Sequence, residues 1–324
     1  MKAIVYERYG SPDVLELREV DEPIVKDDGV LVRVRATSVN RSDWEALIAR
    51  PVYVRLSGAG FLRPKHTILG SDVAGRVETV GKDVTEFQPG DDVFGDTLYS
   101  GAGGFAEYVS VPERAPLVLK PPGLTFEEAA AIPQGGMLAL QSLRHTDQVH
   151  PGQRVLINGA GGGAGSFAVQ IAKSQGADVT GVDSAAKLEM MRSIGADHVI
   201  DYQQEDFAEG RQRYDRILDF VGSRSIIAFR RALGPEGIYV QAGGSIPSLL
   251  QTVALGTIIT KTGSRTMRLL LARPNKEDLS YLARLVEEGT VTPFIGRRYE
   301  FDEVPVALGA LGTGSVSGKA VIAI

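Results

Sequence analysis

The chain contains no cysteine, so disulfides and thiolate chemistry are both excluded. It has only four histidines, His66, His145, His150 and His198. They show no H-x₃-H type spacing, and each reads as a surface or packing residue rather than a metal ligand. No charge of one sign dominates: 35 basic residues against 40 acidic ones leave a net charge of -5. That balance argues against a nucleic-acid-binding surface. No apolar run approaches the roughly 18 residues needed to cross a membrane. Met1-Lys2-Ala3-Ile4-Val5-Tyr6 reads as a β-strand and not as a signal peptide. The expectation is a cytoplasmic protein without nucleic-acid or membrane partners. Internal repeats and low-complexity segments are also lacking.

What is present suits a globular enzyme. At 324 residues the chain exceeds one typical core, so two domains are expected. From Met1 to about Pro122 the texture is β-like. Val30-Leu31-Val32-Arg33-Val34-Arg35-Ala36 alternates with period two, Val73 to Val80 and Gly103 to Val111 read as further strands, and Gln88 to Gly95 reads as a turn leading into a strand. From Gly123 the texture changes. Thr125-Phe126-Glu127-Glu128 is a T-x-x-E capping box opening a helix at Ala129. Strands and helices then alternate: 154–158, 164–175, 178–182, 185–194, 198–200, 216–220, 224–232 and 237–241. This is the rhythm of a doubly wound parallel sheet. After about Leu269 come a helix, 276–289, and a terminal strand, Lys319 to Ile324, which return to the first domain. The expected division is 1–122 with 269–324, and 123–268.

The most informative stretch is Val155-Leu156-Ile157-Asn158-Gly159-Ala160-Gly161-Gly162-Gly163-Ala164-Gly165. An apolar strand stops in glycines and a helical pattern follows. Backbone without side chains beside a helix N-terminus lets a pyrophosphate approach free N–H groups. A second apolar strand, Val179 to Val182, ends in Asp183, 24 residues beyond Gly159 and close to the place of a ribose-binding acid. The loop is therefore read as a dinucleotide site. Ligands in such sheets bind outside the carboxyl ends of the strands. Val221-Gly222 and Ala242-Gly243-Gly244 end two later strands and join the candidate cofactor contacts.

Ordered landmarks now carry a resemblance. They are Asn40-Arg41-Ser42-Asp43, Leu69-Gly70-Ser71-Asp72-Val73-Ala74-Gly75 with Val80-Gly81, and Pro89-Gly90-Asp91-Asp92-Val93-Phe94-Gly95. Gly104-Phe105-Ala106-Glu107-Tyr108, the glycine loop and Gly195-Ala196-Asp197-His198-Val199-Ile200-Asp201-Tyr202 complete the set. Over nearly its whole length the chain resembles the medium-chain dehydrogenase/reductase superfamily, in its zinc-free quinone oxidoreductase (zeta-crystallin-like) branch. The resemblance implies an α/β protein: a GroES-like β-rich catalytic domain interrupted by a Rossmann domain, with the active site in the cleft between them. It implies a homodimer as well.

The zinc-dependent members of that superfamily hold Zn²⁺ on Cys, His and Cys. By the landmarks those places fall on Asn40, Ser71 and Gln134, none a good zinc ligand. The four-cysteine structural lobe is missing too. Without a Lewis acid, the implied chemistry is hydride delivery from a reduced nicotinamide to a quinone or an α,β-unsaturated carbonyl. Asn40 is a candidate for bonding the developing oxyanion or the nicotinamide ribose. Tyr53 stands where related enoyl reductases carry a proton donor, with solvent as the alternative. Asp43 and Asp72 read equally as functional and as structural carboxylates. Trp44 reads as cleft packing. Lys319 lies in a C-terminal segment able to return to the cleft and reads equally as a strand-edge lysine, the preferred reading. Gln134 to Leu138 fall near the nicotinamide.

The cofactor signals conflict. Asp183 favours NADH, because a carboxylate accepts from a 2′-OH and repels a 2′-phosphate. Lys187 and Tyr202 match phosphate contacts of the branch, which prefers NADPH, and Ser184 is a candidate to add a hydroxyl; Lys187 also reads as a solvated lysine at a helix start. NADPH is slightly favoured over NADH. The alternatives are a metal-free enoyl-thioester reductase and a cofactor-binding crystallin-like protein without turnover.

Overall fold

The computed structural model describes residues 1–51, 54, 55, 60–145 and 147–324. The chain forms two compact units. The first holds Met1–Gln134, Pro274–Glu287 and Pro293–Ile324; the second holds Gly135–Arg273 and Glu288–Thr292.

The first unit begins with β1 (Lys2–Val5), β2 (Glu16–Glu19), β3 (Gly29–Val39), α1 (Arg41–Ile48), β4 (Asp72–Val80) and β5 (Asp92–Asp96). It continues with β6 (Tyr108–Pro112), β7 (Leu117–Leu119) and α2 (Phe126–Ala130), and α3 (Pro133–Arg144) starts at its boundary. β3 explains the shape of the sheet. Val32 and Val34 are buried while Arg33 and Arg35 face water, as period-two patterning requires. From Ala36 to Val39 every residue is buried, including Thr37 and Ser38. Both faces are covered there, so polar side chains at that end need internal partners.

The main sheet runs β14 (Ile295–Tyr299), β15 (Lys319–Ala323), β3, β4, β5, β7, with β6 also paired to β3. β15 is parallel to β14 and antiparallel to β3. It is an interior strand, so the reading of Lys319 as an edge lysine is corrected. Its first four residues are all buried, Lys319 among them. An interior strand start offers no solvent to the ammonium, which must find partners inside.

The second unit is a six-stranded parallel sheet. Its strands are β8 (Arg154–Asn158), β9 (Asp178–Asp183), β10 (His198–Asp201), β11 (Tyr214–Asp219), β12 (Leu233–Gln241) and β13 (Thr266–Leu269). The order β10-β9-β8-β11-β12-β13 places a topological switch between β8 and β11. Val155, Leu156, Ile157, Ile217 and Leu218 are fully buried, which is why these strands read as continuous apolar runs. α4 (Gly163–Ser174), α5 (Leu188–Ser193) and α6 (Ile226–Ala232) follow three of the strands.

Several boundaries move, two of them for reasons that the local geometry shows. The T-x-x-E box caps a helix that starts at Phe126, not Ala129, because Thr125 is itself the N-cap: its hydroxyl accepts from Glu128 N–H at 3.1 Å. The strand expected from Gly103 begins at Tyr108, since Ala102 and Gly103 both have positive φ and turn the chain. β12 begins at Leu233, four residues before the expected start. Segments not foreseen include α1, β2, β7, α3, α7 (Ile246–Gln251), α8 (Thr257–Thr262), β13, β14 and a second helix after Leu269, residues Val304–Gly312. α9 (Lys276–Glu287) and α10 (Val304–Gly312) complete the helices named here. Among the described residues no helix is long and apolar enough to cross a membrane.

Candidate active site

In the second unit the glycine loop joins β8 to α4. Gly159 has φ +87°, a left-handed conformation that favours glycine. Its N–H and that of Ala160 donate to Val182 O at 2.9 and 3.2 Å, tying the turn to β9. A Cβ on Gly165 would lie 2.1 Å from Gly159 O, so only glycine lets the helix pack on the turn. A Cβ on Gly162 would meet nothing nearer than Gly159 O at 3.4 Å. Space is open there, beside the first-turn N–H groups of Gly163, Ala164 and Gly165, which have no intrahelical acceptor. That cradle fits a pyrophosphate.

Asp183, Ser184, Lys187 and Tyr202 come together at the ends of β9 and β10. Asp183 Oδ2 accepts from Gly161 N–H at 3.0 Å and Oδ1 from Ser184 N–H at 2.8 Å. Lys187 Nζ stands 3.6 Å from Oδ1. The Lys187 side chain is only 9% exposed, so the alternative of a solvated lysine is corrected. Its stem lies against Gly161, where a Cβ would stand 2.6 Å from Lys187 Cδ. Tyr202 is about half exposed at 49%, and its N–H donates to Asp183 O at 3.2 Å.

A buried acid unnoticed in the sequence supports the two remaining loops. Asp219 Oδ1 accepts from Asn158 Nδ2 at 2.8 Å, Val221 N–H at 3.1 Å and Gly222 N–H at 2.9 Å. Its Oδ2 accepts from Tyr239 OH at 2.8 Å. Burial pushes this carboxyl above its ordinary pKa, although those four hydrogen bonds pull the other way. Gln241 Nε2 donates to Gly243 O and to Ser248 Oγ, both at 2.8 Å. Gly222 and Gly244 meet backbone to backbone: a Cβ on Gly222 would lie 2.7 Å from Gly244 Cα. The available signal was that Asn158, Asp219 and Gln241 each follow directly on a short apolar run, Val155–Ile157, Ile217–Leu218 and Ile238–Val240.

In the first unit the three former ligand positions do converge. Ser71 Oγ accepts from Asn40 Nδ2 at 3.1 Å and from Gln134 Nε2 at 3.3 Å. Ser42 Oγ donates to Gln134 Oε1 at 2.8 Å. Asp72 binds the group together. Its Oδ2 accepts from Ser38 Oγ at 2.7 Å, Asn40 Nδ2 at 2.8 Å and Lys319 Nζ at 2.9 Å, and its Oδ1 accepts from Gln134 N–H at 2.9 Å. Lys319 Nζ also donates to Asn40 Oδ1 at 2.6 Å. Asn40 is 6% exposed and both its amide protons are committed. One lone pair of Oδ1 is left over.

Two further carboxyls lie in the same cluster. Asp43 accepts from Asn40 N–H at 2.9 Å and Gly70 N–H at 3.2 Å. Burial nevertheless pushes its pKa up to about 7. Asp96, opposite Asp72 across β4 and β5, accepts from Leu98 N–H at 2.8 Å, while its Oδ2 has no partner. Burial, then the charge of Asp72, push it up to about 8. Among the described residues no group of three or more His, Cys, Asp or Glu is arranged to hold a metal ion. His66 is exposed, Trp44 packs on Gly312 of α10, and Tyr53 lies outside the described residues.

Two families match the chain. The alcohol dehydrogenase GroES-like domain matches residues 26–122, and the zinc-binding dehydrogenase family matches residues 194–322. Among relatives, the 2-methylene-furan-3-one reductase of Solanum lycopersicum is 34% identical over 99% of this chain and 79% of its own length. The chloroplastic NADPH-dependent alkenal/one oxidoreductase of Arabidopsis thaliana is 32% identical over 99% and 79%. The solved quinone oxidoreductase from Coxiella burnetii is 30% identical, with a TM-score of 0.89 over 100% of this chain and 99% of that one.

Proposed function

Since the chain belongs to the medium-chain dehydrogenase/reductase superfamily, in its zinc-free quinone oxidoreductase-like branch, we propose that it is a zinc-independent, NAD(P)H-dependent reductase of a quinone or an α,β-unsaturated carbonyl. The observation that carries the reading is the donor set at Asn40, Ser71 and Gln134: two amides and a hydroxyl, hydrogen-bonded to one another. Such a set suits polar contacts to a cofactor or acceptor and is a poor Lewis-acid cage.

Bound at the glycine loop, the reduced nicotinamide supplies a hydride. Residues Gly159 to Gly165 hold its pyrophosphate, and the loops Val221-Gly222 and Ala242-Gly243-Gly244 receive the rest of the cofactor. Asn40 contributes its spare Oδ1 lone pair, which accepts from a hydroxyl such as that of the nicotinamide ribose. Its N–H groups are already spent on Ser71 and Asp72, so a donor to the developing oxyanion must come from elsewhere. Tyr53 remains the proposed donor, with solvent as the alternative. The family resemblance also supports a homodimer.

NADPH is the proposed reductant, with NADH as the second. The ammonium of Lys187 offsets the charge of Asp183, which lowers the repulsion of a 2′-phosphate. Asp183→Ser should raise the ratio of kcat/KM for NADPH over NADH, by about 1–3 kcal/mol. Lys187→Met should lower it. The side chains touch, so the double variant measures their coupling. Loss of the Gly161 contact weakens both cofactors alike and cancels in the ratio. A ratio unchanged in both single variants would mean that neither side chain reads the ribose.

The function itself is tested by cofactor oxidation. Purified protein should consume NADPH only when a quinone, enal or enone is added, and EDTA should leave the rate unchanged. Preference for an enoyl thioester would move the substrate class. Cofactor binding without turnover on any acceptor would replace the enzyme by a binding protein. One tightly held zinc per chain in elemental analysis would overturn the metal-free site.

A further inference from the structure

The C-terminal strand brings a lysine into the first unit's polar cluster, and the reaction as proposed gives that lysine no task. Lys319 opens β15, Ser38 lies near the end of β3 and Asn40 directly follows it, Asp72 opens β4 and Asp96 closes β5. These strands are neighbours in the sheet, so all five residues lie at one end of it. Lys319 and Asp72 are 2% and 0% exposed. A buried ion pair is a weak source of stability, because desolvation of both charges offsets their attraction. A role in geometry accounts for it better.

We propose that Lys319 is a positioning residue, fixing the orientation of the Asn40 amide through its hydrogen bond to Oδ1 and its ion pair with Asp72. The chemistry of the contacts permits one orientation only. With Oδ1 toward the ammonium and Nδ2 toward the Asp72 carboxylate, every contact pairs a donor with an acceptor. Turning the amide over would set N–H against ammonium and oxygen against carboxylate. Lys319 thus determines which lone pair of Asn40 remains for a ligand. Asp72 passes the same constraint to Gln134, whose backbone N–H it accepts. A preorganised acceptor contributes to the rate without reorganising during the reaction.

The inference rests on Asn40 serving the proposed reduction, so wild-type turnover is established first; its absence would remove that reading and not the geometry. A double-mutant cycle then addresses Lys319. In Lys319→Met, Asp72 keeps its donors from Ser38, Asn40 and Gln134, so a folded protein is expected. Acceptor kcat/KM should fall about ten-fold at saturating NADPH. In an Asn40→Ala background the same substitution should change kcat/KM by less than about two-fold, because the group it positions is gone. If Lys319→Met does not fold, Lys319→Gln, which keeps a neutral donor, carries the same cycle. An equal loss in both backgrounds would make Lys319 a structural residue only. No loss from Lys319→Met in the otherwise wild-type protein, where Asn40 is present, would remove the positioning role outright.

Discussion

Gly162→Val should bind NADPH at least ten-fold more weakly, a loss of about 1.4 kcal/mol, and still unfold near the wild-type temperature. The first half follows from place. Gly162 is the N-cap of α4, and its open side is where the pyrophosphate approaches. The second half follows from conformation. Gly162 has φ -93° and ψ 179°, extended backbone that a branched residue adopts readily. Its nearest neighbour would stand 3.4 Å from the new Cβ. Gly165 is the contrast. There even alanine would meet the carbonyl of Gly159 at 2.1 Å and Ala160 Cα at 2.6 Å. Gly165→Ala should lose about 3 kcal/mol of stability, the upper end of ordinary overpacking costs. Fluorescence titration and thermal melts separate the two effects. Unchanged affinity in folded Gly162→Val would reduce the loop to a turn, and a wild-type melt for Gly165→Ala would contradict the packing described.

The second large effect concerns alkaline stability. An aspartate in the unfolded chain ionises near pH 4. In the folded protein, burial and then the charge of Asp72 keep Asp96 protonated up to about 8. The folded state holds this proton more tightly. The stability it contributes is therefore complete below about pH 4, declines as pH rises, and is gone once pH passes about 8. Asp43, raised to about 7, acts in the same direction. Asp96→Asn keeps an acceptor for Leu98 N–H and abolishes the titration. Relative to wild type, its stability should improve between pH 5 and pH 9 by on the order of 3 kcal/mol. Denaturant titrations at the two values measure it. A stability difference independent of pH would show that Asp96 titrates as an ordinary aspartate.

What the sequence discloses divides by range. The glycine loop is legible because its determinants are contiguous: a buried run at Val155 to Ile157, a turn without side chains, and a helix start. The strands of the parallel sheet are legible because burial on both faces writes apolar runs. Lys319 is not legible. Its partner Asp72 is 247 residues away, and Lys-Ala-Val-Ile-Ala reads alike in an edge strand and an interior one. Lys187 and Asp183 stand at an i, i+4 spacing that can be seen, but the burial of the lysine depends on Gly161 lying beneath its stem. The capping box places its helix start three residues late, at Ala129 instead of Phe126, because a helix begins at the residue that follows its N-cap and not after the whole box. Segments 246–262 escaped because Thr252, Gly256 and Thr257 interrupt the apolar period.

Order in space and order of synthesis disagree in the first unit. β3 is made early, yet its flank from Ala36 to Val39 pairs with residues 320–323. On the ribosome that row of backbone groups has no partner until residues 320–323 emerge. Gly135–Arg273, a continuous segment, carries all six strands of the parallel sheet and can close meanwhile. The nascent chain thus exposes an apolar sheet edge for most of its synthesis, the condition under which strands pair with the wrong molecule. Removing residues 319–323, or tethering them elsewhere, would open the interior of a sheet.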